Sequence, residues 1–418
     1  MERIRVKGGT PLKGKVAVSG AKNSCLPLLF SSLLAEGEHV FYNVPRLRDV
    51  DSACLLLESL GCQTFRENEV LKVRVPSHLK VLAEYDLVRK MRASILCLGP
   101  LLARFGEAQV SMPGGCAIGS RPIGLHLDAL ESMGAQIEIK KGYVCAKGEH
   151  LHGEKFLFEK VSVGGTENIM MAATLVEGIT ILENAAKEPE IVDLAEYLKK
   201  MGAKISGAGT STIVIEGVNK LTPSEHRVIP DRIEAGTLLI AGAITGGEVQ
   251  VLNCVPEHIR SLLDKLEESG FELFEETQSV SIVSPSEWRP VDITTEPYPG
   301  FPTDLQAQFM ALMTQAEGTS VITENVFENR FMHVQELVRL GADITPKGRV
   351  AVVRGKKGGL VGAPVMATDL RASASLVLAG LVASDETVIN RIYHLDRGYE
   401  QLENKLSLLG AQVKRESY

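Results

Sequence analysis

The chain repeats one pattern six times. In each copy an amphipathic helical stretch stops at a glycine, and a strand of alternating polar and apolar residues follows. The six stop glycines stand about 70 residues apart, at Gly61, Gly134, Gly202, Gly270, Gly341 and Gly410. A glycine there predicts a left-handed C′ residue, because it has no Cβ to oppose that conformation. Six copies in 418 residues predict two domains of three copies each.

A second kind of helix precedes each of these endings. It is rich in Ala, Leu and Met and carries almost no charge, so it must be buried on all sides. Polar residues stand at its start in every copy: Lys22, Asn23, Arg92, Ser162, Gly164, Asp231, Asp304, Asp369 and Arg371. Free N–H groups and partial positive charge make such ends candidate anion sites. Asp231 and Asp369 suit simple N-caps equally well.

Composition argues against several classes of protein. A net charge of −7 argues against a nucleic-acid-binding face, and no apolar run approaches the length of a membrane span. The first residues lack the apolar stretch of a secretory signal, so a cytoplasmic location is expected. The seven cysteines show no CxxC spacing, which argues against disulfides and against a metal site. All of them except Cys116 are expected to be small core residues.

The stretch GGCAIGSRP, from Gly114 to Pro122, lengthens one loop of the second copy. Its glycines predict a mobile flap that carries Cys116 and Arg121. Positive charge on Arg121 and on nearby His126 is expected to lower the pKa of the Cys116 thiol and to favour the thiolate. An incidental loop cysteine is the plainer alternative.

Cations recur at equivalent edges of the repeats. They are Lys22, Arg92, Arg121, Arg330, Arg371 and Arg397. Any one of them is more often a surface ion-pair partner, but together they favour a ligand with several anionic groups. Asp304 is then a carboxylate among cations, and either a general base or a helix cap. A non-catalytic anion-binding repeat protein or thiol sensor is an alternative, but it leaves Asp304 without a task.

These residues lie in segments that resemble the enolpyruvyl transferases over essentially the whole chain. The segments are SGAKNS, RASI, PGGCAIGSRP, NAAKEPEIVD, FPTDLQAQFMAL, VFENRFMHV, ATDLRAS and HLDRGYE. The resemblance implies an α/β fold, namely a two-domain inside-out α/β barrel built from six βαβαββ-like repeats. It implies an N-terminal three-repeat domain, 22–229, that carries the Cys116 loop. The C-terminal three-repeat domain takes 1–21 and 230–418, with the active site expected in the inter-domain cleft.

The resemblance also implies a reaction. The enolpyruvyl group of phosphoenolpyruvate is transferred to the 3-hydroxyl of UDP-N-acetylglucosamine by addition and elimination, and phosphate is released. This is the first committed step of peptidoglycan synthesis, and it needs no metal or organic cofactor. The alternative within the family is 5-enolpyruvylshikimate-3-phosphate synthase, which shares the donor. The Cys116 loop and the segment SRPIGLHL argue against that alternative.

By resemblance the implied catalytic residues are Cys116, Asp304, Lys22 and Arg397. Cys116 is the implied general acid and the thiol that fosfomycin alkylates, and Asp304 is the implied base at the sugar hydroxyl. Lys22 and Arg397, with Arg121, are implied to bind the phosphate of phosphoenolpyruvate.

Further substrate contacts are implied by the same resemblance. Arg330 and Arg371 are implied to bind the carboxylate of phosphoenolpyruvate. The remaining implied contacts are Asn23, Arg92, Pro122, Leu125, Ser162, Val163, Gly164, Phe327 and Asp369, the last being also the alternative base. Relatives often carry aspartate where Gly124 stands, so a side-chain contact to the uracil is expected to be missing.

Overall fold

A computed structural model describes residues 2–112 and 123–417 of the chain. The strands are β1 (Glu2–Lys7), β2 (Lys13–Ala17), β3 (Gly37–Tyr42), β4 (Gln63–Glu67), β5 (Val70–Val75), β6 (Leu82–Ala83), β7 (Glu107–Ser111), β8 (Gln136–Lys140), β9 (Tyr143–Lys147), β10 (Lys155–Leu157), β11 (Ile179–Glu183), β12 (Lys204–Ser206), β13 (Thr212–Glu216), β14 (Glu225–Arg227), β15 (Glu248–Leu252), β16 (Glu272–Glu276), β17 (Ser279–Val283), β18 (Ile293–Thr295), β19 (Gly318–Glu324), β20 (Asp343–Lys347), β21 (Val350–Gly355), β22 (Pro364–Met366), β23 (Glu386–Asn390) and β24 (Gln412–Ser417).

The helices lie between these strands. They are α1 (Lys22–Ser31), α2 (Arg48–Leu60), α3 (Tyr85–Val88), α4 (Leu98–Phe105), α5 (Gly124–Ser132), α6 (Val163–Ala173), α7 (Pro189–Lys200), α8 (Arg232–Ile244), α9 (Arg260–Ser269), α10 (Gln306–Met313), α11 (Val334–Arg339), α12 (Ser373–Gly380) and α13 (Leu402–Leu408). Short 3₁₀ turns span Ser32–Leu34, Arg92–Cys97, Pro256–Ile259, Thr303–Leu305 and Leu395–Arg397. None of the helices in the described part of the chain is long and apolar enough to cross a bilayer.

The strands of residues 2–112 and 123–417 form six four-stranded sheets of one design. Each sheet joins one parallel pair to two antiparallel pairs. In the sheet β14-β3-β5-β4, for example, β14 runs parallel to β3, and the other two pairs are antiparallel. The strands β1 and β2 from the start of the chain complete two sheets with strands from its second half. The repeat inferred from the glycines is therefore a repeat of sheet topology.

The six stop glycines adopt the predicted conformation. Their φ angles lie between 93° and 110°, in the left-handed region. Each one follows an amphipathic helix, these being α2, α5, α7, α9, α11 and α13, and precedes a strand. The prediction of a C′ glycine in every copy is confirmed. A residue in the left-handed conformation ends the helix, and glycine adopts this conformation without steric cost because it has no Cβ.

The chain divides into two compact units, and each has its own hydrophobic core. The C-terminal unit comprises 2–19 and 230–417, and the N-terminal unit comprises 20–112 and 123–229. In the C-terminal unit α8, α10 and α12 pack on one another, and every residue of α10 and α12 is buried. In the N-terminal unit α6 packs on α1 and on α4. The predicted burial of the charge-free helices is confirmed.

The expectation of six buried cysteines is wrong for two of them. Cys54 and Cys145 are partly exposed, whereas Cys25, Cys62, Cys97 and Cys254 are buried. Cys145 alternates on β9 with buried Val144 and Ala146, so it lies on the opposite face of the strand. Cys54 lies on α2 beside the exposed Leu55, at the border of the buried face.

Candidate active site

Asp304 lies between two guanidinium groups in the C-terminal unit. It stands in the 3₁₀ turn that leads into α10, and 24% of its side chain is exposed. Its Oδ1 accepts a hydrogen bond from Arg330 Nη2 at 2.9 Å, and its Oδ2 lies 3.8 Å from Arg371 Nε. The structure thus places a partly exposed carboxylate among cations, as the sequence predicts.

Arg330 is buried and carries a donor without an acceptor. Its Cζ lies 5.5 Å from the ring centroid of Phe327, and its Nη1 makes no hydrogen bond within the described residues. Burial opposes the charge of Arg330, but the carboxylates of Asp304, Asp369 and Glu324 outweigh it and raise its pKa above the ordinary value. A buried charged donor of this kind suits an anionic ligand.

Arg371 joins the starts of three buried helices. Its Nη2 donates to Asp231 Oδ2 at 2.9 Å, at the start of α8, and its Nε faces Asp304, before α10. Arg371 itself lies two residues before the first residue of α12, and its Nη1 donates to the carbonyl oxygen of Gly398 at 2.7 Å. Burial opposes its charge, but Asp231, Tyr399 and Asp304 outweigh it and raise the pKa of Arg371. Both terminal nitrogens are therefore occupied, and its role in binding a carboxylate stays a prediction.

Asp231 is the N-cap of α8, whereas Asp369 lies before Ala372, the N-cap of α12, and caps the turn that leads into that helix. Asp231 Oδ1 accepts from the N–H groups of Ile233 and Glu234 at 2.9 and 3.0 Å. Asp369 Oδ1 accepts from the N–H groups of Arg371 and Ala372, both at 2.8 Å. Each aspartate therefore stabilises the start of a buried helix and also places a carboxylate near the arginines.

Two histidines lie close to Asp369. Burial lowers the pKa of His333 to about 4, with a further lowering by Arg330 and an opposing effect of Asp369. Burial also lowers the pKa of His394, as do Arg397 and Arg391. Arg397, in the turn Leu395–Arg397, is partly exposed. The charges of Asp369 and of the predicted phosphate ligand Arg397 thus both act on the imidazole of His394.

Glu324 and Tyr399 support this cluster, and the sequence analysis missed both. Buried Glu324 accepts from the Thr303 hydroxyl at 2.8 Å and from the N–H of Phe327 at 3.0 Å, so it ties together the two loops that carry Asp304 and Arg330. The only sequence signal for Glu324 is a carboxylate at the end of a strand in which buried and more exposed residues alternate.

Tyr399 acts through Gln308. Gln308 Nε2 donates to the Tyr399 hydroxyl and to the carbonyl oxygen of Asp304, both at 2.9 Å. Burial raises the pKa of Tyr399 to about 12, so its phenol stays neutral, and Arg371 lies over its ring at 5.1 Å. The backbone of Asp304 is therefore fixed by a buried hydrogen-bond network as well as by its side chain.

Lys22 forms a buried ion pair in the N-terminal unit. Its Nζ lies 2.8 Å from Asp49 Oδ2, and the two side chains are 9% and 3% exposed. Lys22 is the first residue of α1, whose N-cap Ala21 offers no side-chain acceptor, and Asn23 follows it, partly buried. The cation therefore stands beside N–H groups that have no acceptor within the helix, and the two together suit an anion. Asp49, in the first turn of α2, is not among the site residues predicted from the sequence.

His126 is buried beside Arg92 and Gly164. Burial, and to a lesser extent the charge of Arg92, lowers the pKa of His126 to about 4. Its Nδ1 lies 3.1 Å from Asn168 Nδ2, which donates to it. The expectation that His126 adds positive charge near Cys116 is wrong, because a buried imidazole of this pKa is neutral at pH 7.

The remaining predicted contacts of the N-terminal unit lie at helix starts. Ser162 is the N-cap of α6, and its hydroxyl oxygen accepts from the N–H of Gly165 at 3.1 Å. Val163 and Gly164 begin α6, so their N–H groups have no partner within the helix. Arg92 begins a 3₁₀ turn, and Leu125, in α5, packs against the core.

Three of the predicted site residues, Cys116, Arg121 and Pro122, lie outside the described residues. A Cβ added at Gly124 would meet only Asp128, at 3.9 Å, so the position has room for a side chain. Among residues 2–112 and 123–417, no group of three or more His, Cys, Asp or Glu side chains is arranged to hold a metal ion.

Two solved structures are similar to this chain. The enolpyruvyl transferase NikO from Streptomyces tendae superposes with a TM-score of 0.90 at 25% identity, covering 100% of this chain and 99% of that one. EPSP synthase from Acinetobacter baumannii superposes with a TM-score of 0.77 at 18% identity over the full length of both, a likeness of fold alone. The fold class that the resemblance implies is confirmed.

Sequence comparisons agree with the fold. A family model described as EPSP synthase (3-phosphoshikimate 1-carboxyvinyltransferase) matches residues 6–406. A UDP-N-acetylglucosamine 1-carboxyvinyltransferase of Bdellovibrio bacteriovorus is 67% identical over 98% of this chain and 99% of its own length. A protein of the same name from Myxococcus xanthus is 57% identical over 100% of both chains. The chain therefore belongs to the enolpyruvyl transferase family that includes EPSP synthase and UDP-N-acetylglucosamine 1-carboxyvinyltransferase.

Proposed function

We propose that this chain acts in the cytoplasm as an enzyme that transfers the enolpyruvyl group of phosphoenolpyruvate to the 3-hydroxyl of UDP-N-acetylglucosamine. Phosphate is released, and the reaction is the first committed step of peptidoglycan synthesis. The names of the relatives support this acceptor. The observation that carries the proposal is the position of Asp304 between Arg330 and Arg371, where a proton acceptor stands among donors for an anionic substrate.

The binding of phosphoenolpyruvate is proposed to use the cations at the repeat edges. Arg330 offers its Nη1 donor to the carboxylate of that substrate, and Arg371 helps through its Nε. Lys22, Arg121 and Arg397 bind the phosphate. Preorganised charged donors of this kind stabilise charge that develops during reaction, each by about 3 to 4 kcal/mol in other enzymes.

The reaction is proposed to follow addition and elimination. Asp304 takes the proton of the sugar hydroxyl as its oxygen bonds to C2 of phosphoenolpyruvate, while Cys116 gives a proton to C3. In the second step the Cys116 thiolate takes a proton back from C3, the electron pair re-forms the C2=C3 double bond, and the C2–O bond to phosphate breaks so that phosphate leaves. Asp369 is the alternative base, although its Oδ1 already accepts two backbone N–H groups.

The N-terminal unit is proposed to bind UDP-N-acetylglucosamine. The free N–H groups at the start of α6, in Val163 and Gly164, suit a diphosphate, and Arg92 adds positive charge. Asn23 binds the acetamido group of the sugar, and Pro122 and Leu125 enclose the uracil. Asp304 and Phe327 are proposed as further contacts of the sugar. Fosfomycin is proposed to inactivate the protein by alkylating Cys116.

The test is phosphate release from phosphoenolpyruvate by the purified protein, with each acceptor in turn. Release is expected with UDP-N-acetylglucosamine and not with shikimate 3-phosphate or without an acceptor, and mass spectrometry should show the enolpyruvyl ether. Release with shikimate 3-phosphate instead would assign the chain to the EPSP synthase activity. Binding of both anions without any release would favour a non-catalytic anion-binding protein.

A further inference from the structure

Asp193, in α7, is a buried carboxylate with three donors and no part in the proposed chemistry. It is 5% exposed. Its Oδ1 accepts from His226 Nε2 at 2.7 Å, and its Oδ2 accepts from the Ser24 hydroxyl and from the backbone N–H of Ile229 at 3.4 Å. Burial removes the hydration of a carboxylate, and the three donors compensate for that loss. Because they come from two segments that are distant in sequence, Asp193 holds these segments together.

The direction of the hydrogen bond between His226 and Asp193 follows from the contact of His226 with Lys200. Its Nζ lies 3.2 Å from Nδ1 of His226, and an ammonium group has only donors. Nδ1 therefore accepts, and Nε2 carries the hydrogen that His226 donates to Asp193. The ring of His226 also packs on Tyr197, with 5.4 Å between centroids. Lys200 and His226 thus orient the carboxylate from one side, and Ser24 and Ile229 bind it from the other.

The residues bound by Asp193 lie at two important places. Ser24 is the third residue of α1, directly after Lys22 and Asn23. Ile229 is the last residue of the N-terminal unit before the chain continues at Pro230 in the C-terminal unit. The carbonyl oxygen of Ile229 accepts from the N–H of Ala21, the N-cap of α1, at 2.7 Å, while its N–H donates to Asp193 in α7.

We propose that Asp193 is a positioning residue, which fixes the first turn of α1 against the Ile229 segment and so sets the positions of the Lys22 and Asn23 side chains. The consequence for catalysis rests on the proposed function of those two residues. Asp193 touches no substrate in this account and acts only through Ser24 and the backbone of Ile229. A displacement of about 1 Å at a substrate-binding group can reduce a rate about 100-fold.

The first test is the substitution Asp193→Asn, which keeps the shape of the side chain. The amide has one oxygen, so it cannot accept from both His226 and the Ser24 and Ile229 donors. We expect kcat/KM for UDP-N-acetylglucosamine to fall roughly 10-fold to 100-fold, with KM raised. Because Asp193 acts through Ser24, the double variant Ser24→Ala with Asp193→Asn should be little worse than Asp193→Asn alone.

A matched control separates positioning from loss of stability. Arg104 lies in the same unit and donates to the carbonyl oxygens of Leu33 and Pro76, away from the first turn of α1. Arg104→Met should lower the unfolding temperature and leave KM for UDP-N-acetylglucosamine unchanged. If both variants raise KM equally at comparable loss of stability, Asp193 has no specific role in positioning α1 and the inference is wrong.

Hydrogen exchange tests the positioning by Asp193 without a measurement of enzyme activity. In Asp193→Ala both carboxylate oxygens are absent and the amide of Ile229 loses its acceptor, so its exchange should be about 10-fold faster or more, and unchanged in Arg104→Met. Unaltered exchange at Ile229 would overturn the inference. Faster exchange with unchanged kinetic constants would also overturn it, since the junction would then be purely structural. A wild-type protein that turns over neither acceptor would contradict the proposed function, while the exchange result would still decide whether Asp193 fixes this junction.

Discussion

Arg330 Nη2 and Asp304 Oδ1 lie 2.9 Å apart, and the cation is the more deeply buried partner, with 4% of its side chain exposed against 24% for the carboxylate. A buried guanidinium therefore lies behind a carboxylate that still meets solvent. The pair holds Asp304 in place while one edge of the carboxylate stays accessible. This arrangement suits a group that exchanges a proton with a substrate, because its position does not depend on the substrate being bound.

Asp304→Asn tests that role directly. The amide keeps an oxygen for Arg330 but cannot take a proton, so kcat should fall by about 10²-fold to 10⁴-fold with little change in KM. Phosphate release at saturating substrates measures it. Near-normal turnover would make Asp369 the base, and Asp369→Asn is then the variant that should lose activity.

Asp49→Asn should destabilise the protein by about 3 kcal/mol, because it leaves the buried Lys22 cation without its carboxylate. Urea unfolding measures the loss. Inorganic phosphate should raise the unfolding temperature of this variant more than that of the wild type, since an anion can replace the missing charge.

A matched control for Asp49→Asn is the exposed pair of Glu38 and Arg74, with 39% and 59% of their side chains exposed. Glu38→Gln should cost less than about 1 kcal/mol, since solvent screens such pairs. Equal losses in the two variants would contradict the importance of the Lys22 pair.

Fosfomycin should add one adduct per chain, at Cys116. Burial raises the pKa of Cys54 to about 11 and that of Cys62 and Cys97 to about 12, so these thiols are almost wholly protonated at pH 7 and react slowly. Mass spectrometry of the intact protein and its peptides measures the adducts. Cys116→Asp should gain none and keep some turnover, and an adduct that persists in this variant would remove Cys116 from the mechanism.

Stability should fall as the pH falls below about 6.5. The pKa of His126 in the folded protein is about 4, against an ordinary value of 6.5, so between these values the unfolded chain binds a proton that the folded chain does not. The sign is therefore a loss of stability toward low pH, of up to about 3 kcal/mol for this group.

The variant His126→Gln should flatten the part of this pH dependence that His126 causes. Urea midpoints at pH 7.5, 6 and 5 measure it, because most carboxylates stay ionised in that range. His333, with its pKa also at about 4, contributes a second part that remains in the variant. Parallel curves for the wild type and His126→Gln would contradict the buried, neutral state of this imidazole.

Gly270→Ala should cost about 1 to 2 kcal/mol. The residue has φ of 105°, and a Cβ there meets no atom within 4 Å, so the cost comes from the left-handed backbone alone. Gly270→Asn is the matched control and should cost less, because asparagine tolerates this conformation better than alanine. Urea unfolding compares them, and equal losses would point to a cause other than backbone conformation.

Local patterns predicted the parts of this structure that depend on neighbouring residues. A stop glycine and an apolar helix can each be recognised from a short stretch of consecutive residues, and both recur in all six copies. The partner of a charged side chain is set by packing between distant segments. Asp304 and Arg330 are 26 residues apart, and Asp231 and Arg371 are 140 apart.

Burial limited the prediction of the site in the same way. Asp49, Glu324 and Tyr399 look like ordinary helix, strand-end and loop residues, and only the folded chain brings them to the cations. His126 was expected to be charged because its distance from solvent cannot be inferred from its neighbours in sequence. The same holds for Cys145, whose exposure depends on which face of β9 is covered.

The meeting of three helix starts at Arg371 has an evolutionary consequence. The stop glycines and the apolar helix bodies recur in all six copies, whereas the polar residues at the helix starts differ from copy to copy. Duplicated units of this kind can diverge at their helix starts alone, so that new chemistry arises without loss of foldability. A single arginine that touches all three starts also makes their later divergence interdependent, because a substitution at one start changes the setting in which the other two are selected.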